Sequence, residues 1–216
     1  RKTGRSLYAG YGCTETTACG PGAVELVHKQ KPGCGTLGVI TGEIKIVDQN
    51  DQILPRGTQG EFLLRGEGLV RGYWRNQEET DRQFTADGWW RSGDAGYMDE
   101  DGFLFFVERI KDLIVASGYN IAPAEVENYL YQHPAVKEAA VIGVPDAYRG
   151  ETVKAYVTLK PGMQVAAQDI IAFCKEKMAA YKAPKLVEFI DELPKNLTGK
   201  VLRRVLRQRH AEGTQS

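Results

Sequence analysis

The sequence predicts an α+β protein, with a β-rich, barrel-like subdomain followed by a small α+β lid domain at the C-terminal end. Two observations support this fold class. Short apolar segments separated by Gly-rich and polar turns fill residues 1–107, as in all-β subdomains. From about residue 110 onward, strand-like segments alternate with segments of helical periodicity. We therefore place a boundary near Ile110–Lys111, which gives predicted domains at 1–110 and 111–216.

The first domain contains three segments with strand character. Apolar residues alternate around Ile44 and Ile46, a second apolar run covers Glu61–Arg65, and a third covers Phe103–Val107. The polar stretch at 99–102 predicts a turn before the third run. Several short strands joined by polar turns favour a barrel or a sandwich.

The second domain mixes helices with strands. Pro123 suits the first turn of a helix. Cys174 lies on the apolar face of another predicted helix, which indicates a core residue and not a reactive thiol. Alternating apolar and polar residues from Thr152 to Leu159 predict a half-buried strand. The other predicted elements are strands at 113–115, 136–144 and 186–190, a turn at 117–120, and helices at 165–181 and 201–209.

Composition argues against several function classes. The 28 basic and 28 acidic residues give zero formal charge, which offers no electrostatic basis for nucleic-acid binding. No apolar run approaches the roughly 18–20 residues of a transmembrane helix, so we predict no integral membrane segment. The four cysteines form no C-x-x-C pair of the kind found at zinc sites, and we interpret them as free thiols in a cytoplasmic protein.

Two polar segments of the first domain have residue types suited to a nucleotide. Tyr11 beside Gly12 can stack on a base, because the missing side chain lets the base approach. Thr14 and Glu15 offer a hydroxyl to a phosphate and an oxygen ligand to Mg²⁺. Asp94 can accept two hydrogen bonds from a ribose diol. Taken alone, each segment is better explained as a polar turn with a core Tyr or a capping Asp.

Basic residues near the boundary and near the C-terminal end are candidates for binding anions. The guanidinium of Arg109 fits ribose and phosphate oxygens, although such a charge run is also typical of a solvated surface. Lys200 follows Gly199 in a loop, where it can neutralise charge that develops on a carboxylate or phosphate. The same loop can instead be the start of a helix with an exposed Lys, and it lacks the first glycine of a Walker loop.

Eight short motifs follow one another from Tyr11 to about Arg204: Y-G-x-T-E, G-E-x-x-x-R-G, G-Y-W, G-W-x-x-S-G-D, R-x-K-D, G-Y-N-x-x-P-x-E-V-E, H-P-A-V and P-K-x-x-T-G-K. Each is weak alone, but their order is specific. It resembles the adenylate-forming superfamily of acyl-CoA synthetases, firefly luciferase and peptide-synthetase adenylation domains. The resemblance implies that ATP converts a carboxylic acid to an acyl-AMP, with release of pyrophosphate, and that coenzyme A then displaces AMP.

The resemblance also implies residue roles. Lys200 would be the catalytic lysine of adenylation, and Glu15 would help to hold Mg²⁺. Lys111 would be the hinge about which the second domain rotates between the two half-reactions. The implied nucleotide-binding residues are Tyr11, Gly12, Thr14, Asp94, Phe106 and Arg109, and the implied coenzyme A channel is formed by Ser117, Gly118 and Tyr119.

We therefore expect an AMP-forming acid–CoA ligase of fatty acid metabolism, with a fatty-acyl or aryl substrate. Val115 stands where luciferase and plant coumarate ligases carry Lys, which favours a bacterial type of ligase. The alternatives are an adenylation domain that loads a carrier protein and a truncated, non-catalytic nucleotide-binding module. The chain contains no Ser/Thr/Gly-rich phosphate loop, so we expect that an N-terminal portion is missing and that the isolated chain does not turn over.

Overall fold

The computed structural model describes residues 11–17, 31 and 42–214. The chain divides into two compact units, Arg1–Ile110 and Lys111–Ser216. Antiparallel sheets and helices occur together, so the predicted α+β class is confirmed.

The first unit is built on an antiparallel sheet whose described strands pair in chain order. A short helix, α1 (Gln77–Gln83), lies between the second and third strands. Apolar side chains of the sheet form a core that includes Phe62, Trp90 and Leu104, and Tyr11 packs against it. This packing attaches the segment 11–17 to the sheet. The strands are β1 (Gly42–Val47), β2 (Gly60–Gly66), β3 (Trp90–Met98) and β4 (Leu104–Arg109).

The sequence pattern predicts β1, β2 and β4 but neither β3 nor α1. The first half of β3, Trp90–Asp94, contains a glycine and two charged residues, and its pairing with β2 is irregular. Helix α1 buries no residue, so it has no apolar face for a periodicity argument to detect. It is marked instead by its N-cap, where the Asn76 side chain accepts a hydrogen bond from the N–H of Glu79 (3.1 Å).

The second unit is a five-stranded sheet with helices on both faces. The strands are β5 (Ile114–Ala116), β6 (Tyr119–Ile121), β7 (Val136–Asp146), β8 (Gly150–Leu159) and β9 (Leu186–Phe189). Their order is β6-β5-β8-β7, and β9 pairs with β8 in parallel. The helices are α2 (Pro123–Leu130), α3 (Ala167–Lys177) and α4 (Arg203–Thr214).

The two faces of this sheet have separate cores. Residues of α2 and α3, including Leu130 and Ile170, pack with Val141 and Val153 on one face. Cys174 belongs to this core, as predicted, and burial raises the pKa of its thiol to about 11. The thiol is therefore protonated and unreactive near neutral pH.

Strand β8 differs from its prediction. Alternation predicted a half-buried strand, but Thr152, Lys154 and Tyr156 are buried as well as the apolar residues between them. Helix α4 covers this second face: the Tyr156 hydroxyl donates to the carbonyl oxygen of Leu206 (3.2 Å). Helix α2 begins at Pro123, as predicted. Helix α4 begins at Arg203, two residues after its predicted start, and ends at Thr214, five residues beyond its predicted end.

Replacement of Leu206 by Ala is expected to destabilise the second unit. Leu206 is 1% exposed and packs with Ala140, Ile142 and Val144 across the sheet face. Burial of this kind predicts a loss of about 2–5 kcal/mol in the free energy of unfolding, which urea denaturation of the chain measures. Leu197→Ala is the matched control, because this leucine is fully exposed and its loss should leave the transition unchanged. Equal effects of the two variants would contradict the packing assignment.

Candidate functional site

An irregularity in β3 positions the carboxylate of Asp94. Its pairing with β2 shifts, so that Ser92, Gly93 and Asp94 together stand opposite Phe62. Gly93 has φ +67°, in the left-handed region that glycine adopts readily. The Ser92 hydroxyl donates to the carbonyl of Phe62 (2.8 Å) and accepts from the N–H of Asp94 (3.0 Å). The S-G-D motif is therefore a bulge that fixes the direction of one acidic side chain.

Tyr11 and Asp94 form a hydrogen-bonded pair across 83 positions of sequence. The Tyr11 hydroxyl donates to Oδ2 of Asp94 at 2.6 Å. The Tyr11 ring packs edge-on against Phe62, with 5.6 Å between ring centroids. Burial, and then the adjacent carboxylate, raise the pKa of Tyr11 far above its usual range, so the hydroxyl keeps its proton. A flat aromatic ring and a carboxylate are thus held side by side.

Arg109 extends this pair. It stands directly opposite Asp94 in the pairing of β4 with β3, and its Nε lies 3.6 Å from Oδ1. The Asp94 side chain is 9% exposed, whereas that of Arg109 is 46% exposed and can reach a ligand. Phe106 also lies on β4, is 44% exposed, and makes no ring contact with Tyr11 within the described residues. The structure therefore brings Arg109 to the Tyr11–Asp94 pair.

The segment 11–17 forms a compact turn. The N–H of Thr17 donates to the carbonyl of Thr14 (3.0 Å), and the buried Thr16 hydroxyl bonds to the carbonyl of Cys13 (3.0 Å). These bonds leave the predicted residues Gly12 and Thr14 exposed on the surface of the first unit. Thr16, which motif reading passes over, is the residue that holds the turn together.

Glu15 has the chemistry of a ligand for a divalent cation. The Tyr73 hydroxyl donates to its Oε1 (3.2 Å), and within the described residues no side chain bonds to Oε2. A single carboxylate with one available oxygen suits Mg²⁺, which takes one or two protein carboxylates and completes its shell with water and phosphate oxygens. In the described part of the chain no group of three or more His, Cys, Asp or Glu side chains is arranged around a metal position. Magnesium held jointly with substrate phosphates fits the residues present.

Lys200 lies on a tightly ordered loop of the second unit. The Asn196 side chain accepts hydrogen bonds from the N–H groups of Thr198 (3.0 Å) and Lys200 (2.8 Å), and Gly199 adopts φ +82°. The Lys200 side chain is exposed and has no hydrogen-bond or ion-pair partner among the described residues. A rigid loop therefore presents one ammonium group to solvent.

The predicted turn at 117–120 is shorter than expected. Only Ser117 and Gly118 form the loop of the β5–β6 hairpin, and both have positive φ, +53° and +81°. Tyr119 begins β6 and is 55% exposed. Its ring stacks on Tyr181 with 4.4 Å between centroids. The hairpin tip is therefore exposed, and the stacking of Tyr119 on Tyr181 supports one side of it.

Lys111 occupies the middle of a 3-10 turn, Ile110–Asp112, at the junction of the two units. Its side chain is exposed, and its carbonyl accepts a hydrogen bond from Arg207 of α4 (3.4 Å). Arg207 also pairs with Asp112 at 2.8 Å. The second unit thus holds the residue after Lys111 firmly.

Comparison with known proteins identifies the family of this chain. The family described as AMP-binding enzyme matches residues 1–74, and the AMP-binding enzyme C-terminal domain matches residues 125–200. The chain belongs to this adenylate-forming enzyme family. The first match contains Tyr11, Glu15 and Tyr73, and the second ends at Lys200. The recognition made from the order of motifs is therefore confirmed.

The relatives of this chain include ligases. It is 43% identical over 211 residues to a long-chain-fatty-acid–CoA ligase of Bacillus subtilis, covering 97% of the chain and 37% of the relative. Among solved structures, o-succinylbenzoate CoA synthetase of Bacillus subtilis, bound to its acyl-adenylate, has a TM-score of 0.83 at 35% identity and covers 95% of the chain and 42% of that protein. ATP-bound MatB of Rhodopseudomonas palustris has a TM-score of 0.82 at 34% identity, covering 93% and 40%. The chain thus spans well under half the length of the relatives it matches.

The sequence analysis missed several residues that contact the predicted site residues. Tyr73, Asn196, Tyr181 and Arg207 each contact a predicted site residue. For Tyr73 a signal was available, because it is the centre of the G-Y-W motif.

In the described part of the chain, no helix is long and apolar enough to span a membrane.

Proposed function

We propose that the natural protein containing this chain is an AMP-forming acid–CoA ligase. It joins a carboxylic acid to ATP, forming acyl-AMP and releasing pyrophosphate, and the thiol of coenzyme A then displaces AMP to give the acyl-CoA. The single observation that carries the proposal is the Tyr11–Asp94 pair. The Tyr11 hydroxyl lies 2.6 Å from Oδ2 of Asp94, so an aromatic ring and a carboxylate are held next to each other. A nucleoside needs both features, a ring to stack on and an acceptor for its ribose hydroxyls.

Binding of the nucleotide is assigned to the first unit. Adenine stacks on Tyr11, and Asp94 accepts hydrogen bonds from the ribose hydroxyls. The carboxylate retains acceptor capacity for this, since ionised Asp has about four lone-pair sites. Arg109, exposed beside it, supports ribose and phosphate oxygens. Gly12 gives the base room to approach, Thr14 bonds to a phosphate, and Phe106 packs near the nucleoside.

Magnesium and the ammonium of Lys200 serve the adenylation step. A bound Mg²⁺ would neutralise phosphate charge, and Glu15 would supply one of its oxygen ligands. Acid and ATP are both anions, so their reaction needs positive charge aimed at the reacting centre. Lys200, ordered on its loop by Asn196, stabilises the carboxylate and the α-phosphate.

The thioester step is assigned to the β5–β6 hairpin. The second unit turns about Lys111 after adenylation, so that Ser117, Gly118 and Tyr119 line the channel of the pantetheine arm. Gly118 suits this role because a hypothetical Cβ at this position meets no atom within 4 Å, so the backbone there is open to a thin ligand. The reaction consumes ATP and coenzyme A, and we infer that the protein acts in the cytoplasm.

Lys111→Pro is expected to slow thioester formation more than adenylation, by about tenfold, because proline fixes φ at the residue that has to rotate. Single-turnover measurements separate the steps: pyrophosphate release reports adenylation, and acyl-CoA formation from supplied acyl-AMP reports the second step. Lys111→Ala removes the side chain without fixing φ and is expected to have the smaller effect. Equal rates in the proline variant and the parent would remove the hinge assignment.

Acid-dependent ATP–pyrophosphate exchange tests the proposed activity. The natural protein is supplied with a panel of aliphatic and aryl acids, followed by coenzyme A or a pantetheine-bearing carrier protein. Exchange with a long-chain acid and transfer to coenzyme A is the expected result, given the fatty-acyl relatives. Transfer only to the carrier protein would identify a loading domain instead. AMP binding without exchange with any acid would identify a non-catalytic nucleotide-binding protein.

A further inference from the structure

The G-Y-W motif, Gly72–Trp74, has no role in the function proposed above. The loop that contains it, residues 67–76, is attached to the segment 11–17 by backbone and side-chain bonds. The N–H of Val70 donates to the carbonyl of Glu15 (2.8 Å), and the Thr17 hydroxyl donates to the carbonyl of Gly68 (3.1 Å). The motif therefore lies against the residue assigned to magnesium.

The Tyr73 hydroxyl has a fixed polarity. It accepts a hydrogen bond from the indole N–H of Trp90 (3.3 Å) and donates one to Oε1 of Glu15 (3.2 Å). An indole nitrogen only donates and an ionised carboxylate only accepts, so the hydroxyl proton points to Glu15.

The backbone at Tyr73 is also fixed. Its N–H donates to the Thr80 hydroxyl (2.9 Å), which in turn donates to the carbonyl of Asn76 (2.9 Å). Gly72 has φ +152°, and a Cβ at this position would lie 2.8 Å from Cγ2 of Thr80. The first residue of the motif is thus a glycine because Thr80 packs closely against it, and this contact holds the motif against α1.

We propose that Tyr73 is a positioning residue for Glu15. Its hydroxyl holds Oε1 and limits rotation of the carboxylate, which leaves Oε2 available as a ligand for a magnesium ion bound with ATP. The proposal rests on the proposed function, because it takes Glu15 as a ligand of that ion. Outer partners of metal ligands orient them and commonly change metal affinity by about 10- to 100-fold when they are removed.

The test compares Tyr73→Phe with Tyr97→Phe in the natural protein. Both variants lose one hydroxyl, but that of Tyr97 has no hydrogen-bond partner within the described residues, and its ring is stacked on Phe105. Binding of Mn²⁺ in the presence of ATP is measured by the loss of the free-Mn²⁺ electron paramagnetic resonance signal. Tyr73→Phe is expected to weaken Mn²⁺ binding by about tenfold. Its exchange rate should recover at saturating Mg²⁺, and its affinity for metal-free AMP should equal that of the Tyr97→Phe control.

Glu15→Gln distinguishes failure of this inference from failure of the proposed function. If Glu15→Gln weakens Mn²⁺ binding and Tyr73→Phe does not, Tyr73 does not position the ligand, and the metal role of Glu15 stands. If neither variant changes Mn²⁺ binding, both assignments are wrong. If Tyr73→Phe weakens AMP and Mn²⁺ binding equally, or lowers the unfolding midpoint enough to explain its losses, the residue is only structural and the proposal is overturned.

Discussion

Lys200→Ala is expected to lower the rate of acyl-AMP formation by about 10²–10³-fold, the usual cost of removing one preorganised donor of positive charge. The loss should be confined to adenylation, because the thioester step is assigned to the β5–β6 hairpin and not to the loop that carries Lys200. Release of pyrophosphate and conversion of supplied acyl-AMP to acyl-CoA, measured separately on the natural protein, give the two rates.

The structure favours a specific effect of this substitution. The loop around Lys200 is ordered by the Asn196 side chain and by Gly199, and neither depends on the lysine ammonium. Lys195→Ala is the matched control in the same loop, because its ammonium is already paired with Glu138. This control should retain both rates, since exposed ion pairs contribute little to stability. Equal loss of both half-reactions in Lys200→Ala would contradict the assigned role.

Asp94→Ala is expected to weaken AMP binding by about 10²-fold or more, because each hydrogen bond to a charged group contributes about 1.5–3 kcal/mol and two ribose hydroxyls are involved. The substitution also leaves the Tyr11 hydroxyl without its acceptor and Arg109 without its ion pair. Isothermal titration calorimetry with AMP measures the effect in the natural protein.

Two further variants separate the causes of this loss. Tyr11→Phe removes the hydroxyl but keeps the ring and the carboxylate, so it should weaken AMP binding much less than Asp94→Ala. Asp101→Ala removes a carboxylate of the same unit whose side chain is 67% exposed and paired with Lys31, and it should leave AMP affinity unchanged. An Asp94→Ala protein that binds AMP as tightly as the parent would place the ribose elsewhere.

The residues of the proposed nucleotide site could be named from motifs, but the contacts among them could not. Tyr11, Asp94 and Arg109 were identified from motifs, yet nothing in the motifs indicates that Tyr11 bonds to Asp94 or that Arg109 stands opposite it. These contacts depend on the bulge at Gly93, where three residues of β3 face one of β2. A pairing irregularity of this kind belongs to two strands together and has no local pattern.

The local sequence pattern was sufficient to predict an element when one face of that element packs against the core. Pro123 marked the start of α2, the helical spacing around Cys174 marked a buried face, and the order of motifs identified the family. These features follow from the chain itself, because backbone geometry sets the period of each element and the apolar residues repeat with it.

Tertiary structure decided what depends on partners distant in sequence. The polar-looking face of β8 is buried because α4, about 50 residues later, covers Tyr156. Tyr73 reads as part of a short aromatic motif, and only the fold gives it Trp90 as donor and Glu15 as acceptor. The sequence by itself determined the family, the fold class and the candidate site residues, since these are carried by local periodicity and motif order. Which face is covered, and which hydroxyl orients which carboxylate, required the folded chain, because both result from packing between segments that no local pattern connects.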